Sequence, residues 1–333
     1  MTMRRIAFDT VYGGYSHFRL CDPASTDRFA PFADLSEPDW LVVYDEPSAG
    51  LATTLPRSRR ILVTTEPPGV KVYRPEFLAQ FGTVVGPVTP QGFDGTVIRS
   101  HPGIPWFYGV TPEGGIDGRP LDLADMQAMP APDKPFELSC VVSRKRTTEE
   151  HRMRLRLVDE LVRRLGPRLH LFGRGIKEIT DKRSAIDPYR MHLVMENNRL
   201  PHFWTEKVAD AWLGRALPLY CGAPDLDRYF PADSFIRVPF EDVGKAADVV
   251  EKAVLDEAWR TRADAVERAR RILLERQTVF DVISRAVDLV APAALDAGRE
   301  ATAIRSNGDF AGLLVRLRRM TRPLRRRLLS KTS

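Results

Sequence analysis

Short apolar runs of strand length recur along the chain, and what separates them decides the fold. In the first third they lie at residues 5–8, 40–44, 60–65 and 82–85, mostly set apart by loops bearing Pro and Gly. The stretch A-M-P-A-P-D-K-P, with Pro130, Pro132 and Pro135, then interrupts the pattern. After it the runs restart at 138–143, 170–172, 191–195 and 217–221, now alternating with helical stretches, and 241–295 is helical in character with no proline before Pro292. Strands alternating with helices predict an α/β fold with parallel sheets. The proline-rich stretch reads as a crossing between two α/β halves, residues 1–132 and 133–295, followed by a C-terminal tail at 296–333. Two such halves predict a ligand cleft faced by the carboxyl ends of both sets of strands.

Composition narrows the class. With 333 residues, 43% of them hydrophobic and 28% charged, the chain can bury two cores of ordinary size. No window approaches the roughly 18 to 20 apolar residues of a membrane span, and M-T-M-R-R-I-A-F-D-T, broken by Asp9, does not read as a signal peptide. The expectation is a cytoplasmic protein. Cys21, Cys140 and Cys221 lie far apart and read as free thiols, and the six histidines show no metal-ligand spacing. The net charge of +6 is concentrated at one end: residues 310–333 carry eight Lys or Arg and no acid, leaving 42 basic against 44 acidic residues before them.

Two local patterns carry chemistry. In F-W-T-E-K-V-A-D-A-W, Trp204, Val208, Ala211 and Trp212 form one helical face with Thr205 as the N-cap. Glu206 and Lys207 then occupy the first turn, where a lysine opposes the helix dipole. Either Lys207 and the free N–H groups bind a phosphate while Glu206 accepts sugar hydroxyls, or Lys207 pairs with Asp210 and Glu206 merely satisfies the dipole. In T-T-E-E-H-R-M-R-L-R-L-V-D-E-L-V-R-R-L-G, the stripe Leu157, Val158, Leu161, Val162 and Leu165 faces inward, and Arg154 projects onto its centre. An inward arginine needs an anionic partner, a buried carboxylate or a ligand phosphate, unless it reaches water beyond the core edge. L-F-G-R-G places Gly173 and Gly175 after a short strand, a weak signal for close ligand approach.

Taken in order and spacing, D-K-R-S-A-I-D-P-Y-R-M-H-L-V-M-E-N-N, F-W-T-E-K-V-A-D-A-W-L-G-R-A-L-P-L-Y-C-G-A-P and Y-F-P-A-D-S-F-I-R-V resemble the donor domain of the family 10 glycosyltransferases, the α1,3/α1,4-fucosyltransferases. The resemblance covers about residues 138–238 and is faint before them. It implies a GT-B architecture, two Rossmann-like domains facing a cleft, and inverting transfer of fucose from GDP-fucose without a metal or other cofactor. By motif position it implies donor contacts at Arg154, Gly173, Arg174, Glu196, Asn197, Phe203, Glu206 and Lys207. The sequence departs from the family at Phe203, where a tyrosine is usual, and at Met195 to Asn198, where Phe-Glu-Asn-Ser is usual; the lost phenol leaves the sugar or base contact open. R-R-I-L-V-T-T-E-P-P is similar to the strand whose terminal glutamate is the family's catalytic base, which implies that role for Glu66, held at a rigid strand end by Pro67 and Pro68. The D-L-D of Asp225 to Asp227 invites a metal-dependent reading, but no histidine or further carboxylate cluster accompanies it.

In the tail, Phe310, Leu313, Leu314 and Leu317 share one helical edge among arginines that include Arg318 and Arg319. A basic amphipathic segment predicts attachment to an anionic membrane surface, here the cytoplasmic face of an inner membrane. A disordered solubilising tail is the plain alternative. Nucleic-acid binding is disfavoured by the lack of interleaved aromatics. The expected partners are a GDP-sugar and a glycan acceptor on a surface glycan or its lipid-linked precursor. The competing functions are the same chemistry with another GDP-sugar, or a non-catalytic nucleotide- or glycan-binding protein held at membranes.

Overall fold

The computed structural model describes residues 3–12, 27–31, 34–110, 121–143, 149–293 and 300–310. In chain order the first part comprises β1 (Arg5–Asp9), β2 (Arg28–Pro31), β3 (Trp40–Tyr44), β4 (Ala52–Thr53), β5 (Arg60–Val63), α1 (Pro75–Leu78), β6 (Thr83–Gly86), β7 (Thr96–Arg99) and α2 (Leu123–Ala128). The second comprises β8 (Phe136–Val141), α3 (Glu149–Leu165), β9 (Leu169–Phe172), α4 (Arg183–Ile186), β10 (Tyr189–Met195), α5 (Glu206–Leu213), β11 (Leu217–Cys221), β12 (Ile236–Arg237), α6 (Val243–Leu255), α7 (Ala263–Arg276), α8 (Val279–Val290) and β13 (Thr302–Ala303).

Two parallel sheets result, ordered β2-β1-β3-β5-β6-β7 and β12-β11-β10-β8-β9. Their central strands are apolar at consecutive positions because both faces are covered: all five residues of β3 and of β11 are buried. Each sheet reverses its strand order once, between β1 and β3 in the first and between β8 and β10 in the second. At such a switch point neighbouring connections leave in opposite directions and open a crevice at the carboxyl ends. The crevices here are lined by Asp45 on one side and by the residues after β8 and β10 on the other.

α3 packs against α6, and its Leu157, Val158, Leu161 and Leu165 are buried. Val162, read from the sequence as part of that stripe, is 45% exposed, because it lies a further 100° round from Leu161, at the edge of the buried face. α5 is buried on nearly every side from Val208 to Leu213, rather than along a single face, since it is enclosed between β10, β11 and α7.

The chain crosses between the halves twice. The first crossing runs through His101 and Gly103, and the second passes Gln277, whose Oε1 lies 3.1 Å from His101 Nε2. Gly103 has φ +57°, and a Cβ there would meet the Cα of Val279 at 2.9 Å, so the two crossings can touch only with glycine at this position. After the second crossing the chain packs on the first sheet. Phe280 of α8 packs its ring at a tilt against Phe8 and Phe29 (ring centroids 5.7 and 4.7 Å), and Arg4 bridges Asp288 at 2.6 Å. β13 pairs antiparallel with β4, and Ile304 joins the N-terminal core. Residues 279–290 and 300–310 thus lie against the N-terminal sheet, where the sequence had suggested a donor domain reaching 295 and a separate tail. Residues 311–333, with the membrane-tail positions Leu313, Leu314, Leu317, Arg318 and Arg319, lie outside the described residues.

Candidate active site

At the carboxyl ends of β8, β9 and β10 a cavity of about 280 Å³ opens beside the first turn of α5. Its wall includes six of the sequence-predicted donor residues: Arg154, Gly173, Arg174, Asn197, Glu206 and Lys207. Gly173 has φ +121°, and a Cβ there would sit 2.2 Å from the carbonyl oxygen of Val142, so β9 can turn this close to β8 only with glycine. Arg154 is 7% exposed and donates to Asn197 Oδ1 at 3.1 Å. The inward projection read from the helix is the one observed, and one of its partners is the Asn197 amide at the cavity wall.

The first turn of α5 is built from beneath. Thr205 is extended (φ −131°, ψ −174°) and its hydroxyl accepts from Lys207 N–H, which makes it the N-cap. Glu196, buried after β10, accepts from Thr205 N–H at 2.9 Å and from its hydroxyl at 2.8 and 2.9 Å. The Lys207 ammonium lies 3.2 Å from Glu196 Oε2 and 3.3 Å from Glu206 Oε1. The alternative pairing with Asp210 does not occur: Asp210 is held at 2.6 Å by Lys182. Desolvation acts against the charge of Lys207, but Glu196 and Glu206 outweigh it and hold the ammonium protonated above its usual range. Burial pushes Glu196 up, offset in part by Lys207. Burial acts on Glu206 as well, yet Lys207 and Lys182 bring its carboxyl below the usual range, so it is ionised and able to accept hydrogen bonds. Phe203 is 4% exposed and stands in the core, away from the cavity wall.

Sequence reasoning did not single out Lys182, His192 or Asp45. His192 lines the cavity, is neutral because burial lowers it to about 3, and hydrogen-bonds Ser139 Oγ at 2.8 Å. Lys182 stood in the quoted D-K-R-S-A run without a role, since its partner Asp210 is 28 residues away.

Across the cleft, Glu66 follows β5 and lines a smaller cavity of about 220 Å³ with Lys71, Tyr73 and Gln91. Although its side chain reaches solvent, crowding in the cleft and then Asp45 push its carboxyl up, opposed by Lys207 and Lys71. Glu66 of the first domain thus lies within the electrostatic reach of Lys207 of the second. Asp45 is fully buried, with φ +64°, and is bound by Lys71 at 2.8 Å and by the hydroxyls of Tyr12 and Tyr73. Lys71 also bridges Glu46 at 2.8 Å.

In the D-L-D, Asp225 accepts from His202 N–H at 2.8 Å and Asp227 pairs with Arg237 at 2.9 Å. Among the described residues no group of three or more His, Cys, Asp or Glu is arranged to hold a metal, and no helix is long and apolar enough to cross a membrane. Cys140 and Cys221 are buried free thiols.

Two Rossmann-like domains, with cations and a helix N-terminus gathered at the cavity of the second and Glu66 at that of the first, make up a GT-B architecture. The overall fold is that of a crystal structure of an α1,3-fucosyltransferase, with a TM-score of 0.50 and 15% identity over 88% of this chain and 91% of that one. The same enzyme class crystallised with GDP gives a TM-score of 0.50 and 14% identity over 89% and 92% of the two chains. Residues 131–259 match the profile "Glycosyltransferase family 10 (fucosyltransferase) C-term". A 73-residue stretch is 29% identical to the α-(1,3)-fucosyltransferase FucT of Helicobacter pylori, spanning 22% of this chain and only 15% of that protein.

Proposed function

We propose that the protein transfers fucose from GDP-fucose to a hydroxyl of a glycan acceptor with inversion at the anomeric carbon. Glu66 removes the acceptor proton as its oxygen attacks from the face opposite the diphosphate. Negative charge then grows on the leaving GDP. Lys207, Arg154 and the free N–H groups of α5 stabilise it, each worth on the order of a hundredfold in rate. Glu206 accepts hydroxyls of the donor, Asn197 orients Arg154, and Gly173 and Arg174 border the nucleotide. The observation that carries this reading is the convergence of Arg154, Glu206 and Lys207 on one cavity, with Glu66 within the electrostatic reach of Lys207. Because protein cations supply the charge, turnover should persist in EDTA; loss in EDTA with rescue by manganese contradicts the scheme.

The test is release of GDP from GDP-fucose in the presence of a panel of oligosaccharides, with Glu66→Gln alongside. Turnover in the wild type and its loss in the variant, with donor binding retained, supports the assignment. Donor binding without turnover toward any acceptor supports a non-catalytic binding protein instead. A second enzyme reading is transfer of another GDP-sugar; GDP release from GDP-mannose but not from GDP-fucose would favour it. Residues 310–333 are proposed to hold the protein to the cytoplasmic face of an anionic membrane. Their deletion should abolish sedimentation with vesicles containing phosphatidylglycerol, and unchanged sedimentation contradicts the anchor.

A further inference from the structure

Lys182 stands where the donor cavity meets the segment that joins the two domains. It precedes α4 and reaches back to α5, where its Nζ lies 2.6 Å from Asp210 Oδ2 and 4.0 Å from Glu206 Oε1. Those carboxylates are four residues apart on one helix and would repel each other without a cation between them. On the other side of the ammonium is the ring of Phe107, its centroid 5.2 Å away. Phe107 belongs to the first interdomain crossing, and its N–H and that of Tyr108 both donate to Asp210 Oδ1 at 3.0 Å. Asp187 accepts from the Tyr108 hydroxyl at 2.7 Å, and Asp181 from Gly109 N–H at 3.2 Å. The crossing is therefore clasped to the donor domain by three aspartates, and Lys182 links that clasp to the cavity.

The charge balance around Glu206 gives this link a purpose. Lys207 is shared between Glu206 and the buried Glu196, while Asp210 lies one turn further on. Lys182 is the second ammonium in a cluster of three carboxylates. Without it, Glu206 would either turn wholly toward Lys207 or take up a proton, and in both states it offers less to a ligand hydroxyl.

We propose that Lys182 is a positioning residue of the donor site: anchored on Asp210 and on the interdomain segment, its ammonium keeps the Glu206 carboxylate ionised and aimed into the cavity. The proposal rests on the donor-site reading above. It makes the seat of Glu206 depend on the same segment that sets the distance between the two domains.

The experiment is calorimetric titration of GDP-fucose into the full-length protein and into Lys182→Met, Lys182→Arg, Glu206→Gln and the Lys182→Met/Glu206→Gln double variant. Lys182→Met should weaken binding at least tenfold, and Lys182→Arg, which can still reach both carboxylates, should restore it to within about threefold. In the Glu206→Gln background, adding Lys182→Met should change binding by less than threefold, because the lysine acts through that carboxylate. Should Lys182→Met not fold, Lys182→Met/Asp210→Asn removes the stranded buried charge, keeps an acceptor for Phe107 and Tyr108, and should show the same loss. Undiminished binding in the folded variant, or full additivity with Glu206→Gln, overturns the proposal while leaving the donor site intact. Absence of binding by the wild type overturns the donor reading, and this proposal with it.

Discussion

Replacing Lys207 by Met should reveal how much charge the first turn of α5 confines. The ammonium lies 3.2 Å from Glu196, whose side chain is fully buried, and 3.3 Å from Glu206. Breaking a buried pair on one side costs about 3–5 kcal/mol, since the remaining charge is left without its partner. The Lys207 side chain is 28% exposed, so solvent screening brings the expected cost to about 2–3 kcal/mol. For a chain of this size that corresponds to a fall in Tm of about 3–4 °C.

The pH dependence follows from Glu196. Burial already holds its carboxyl above the usual range, and the loss of Lys207 raises it further. Between the unfolded and folded values the native state then binds more protons than the unfolded chain, so stability falls as pH rises through that window. The deficit relative to wild type should be largest at pH 8 and shrink at pH 5.5. Thermal melts by circular dichroism at both pH values provide the readout. Lys207→Met/Glu196→Gln should recover stability at pH 8, because no buried charge is stranded. Equal Tm for wild type and Lys207→Met at pH 8, or a deficit that grows on acidification, would refute the reasoning.

Other perturbations separate the remaining roles. Glu66→Gln should lower kcat by 10² to 10⁴ and leave GDP-fucose binding within threefold, since general-base catalysis contributes about that much. In the wild type, kcat/KM should fall as acid protonates Glu66, and this limb should lie above the ordinary glutamate value because partial desolvation and Asp45 raise it. Asp45→Asn, read in the pH–rate profile, should move the limb to lower pH; an unmoved limb means that another group titrates. Lys134→Met should destabilise the donor domain by about 3 kcal/mol, because its ammonium serves the carbonyls of Asp187, Tyr189 and Gly214 at 3.0, 2.9 and 2.6 Å, and buried acceptors left unmet are costly. Urea unfolding would measure it, and a midpoint unchanged from wild type would contradict that role.

How much of this was legible in the sequence depended on how local each signal is. β3, β5, β8, β10 and β11 declare themselves as apolar runs because both faces of their sheets are covered. The edge strands β2 and β7 do not, since each pairs on one side only and β7 has exposed ends and a half-buried middle. Thr205, Glu206 and Lys207 could be read from helix capping alone, and Arg154 from a projection along α3. The partners that give them meaning could not. Glu196 lies beneath Thr205 across a loop, and Lys182 meets Asp210 only when α4 and α5 are packed together. Residues 241–295 read as helical, but that reading does not say which sheet α8 covers, and Phe280 turns out to meet Phe8 and Phe29. The charge cluster at Asp45, with its positive φ and two tyrosines from separate loops, left no local mark.

The central claim is that Arg154, Glu206 and Lys207 together hold a GDP-sugar, and calorimetric titration in EDTA tests it most directly. GDP-fucose, GDP-mannose and GDP are each titrated into the wild type and into Lys207→Met below its unfolding transition. The account predicts that the wild type binds all three GDP compounds, with GDP-fucose tighter than GDP-mannose, and that the variant loses this binding. No heat from any GDP compound with the folded wild type would contradict it.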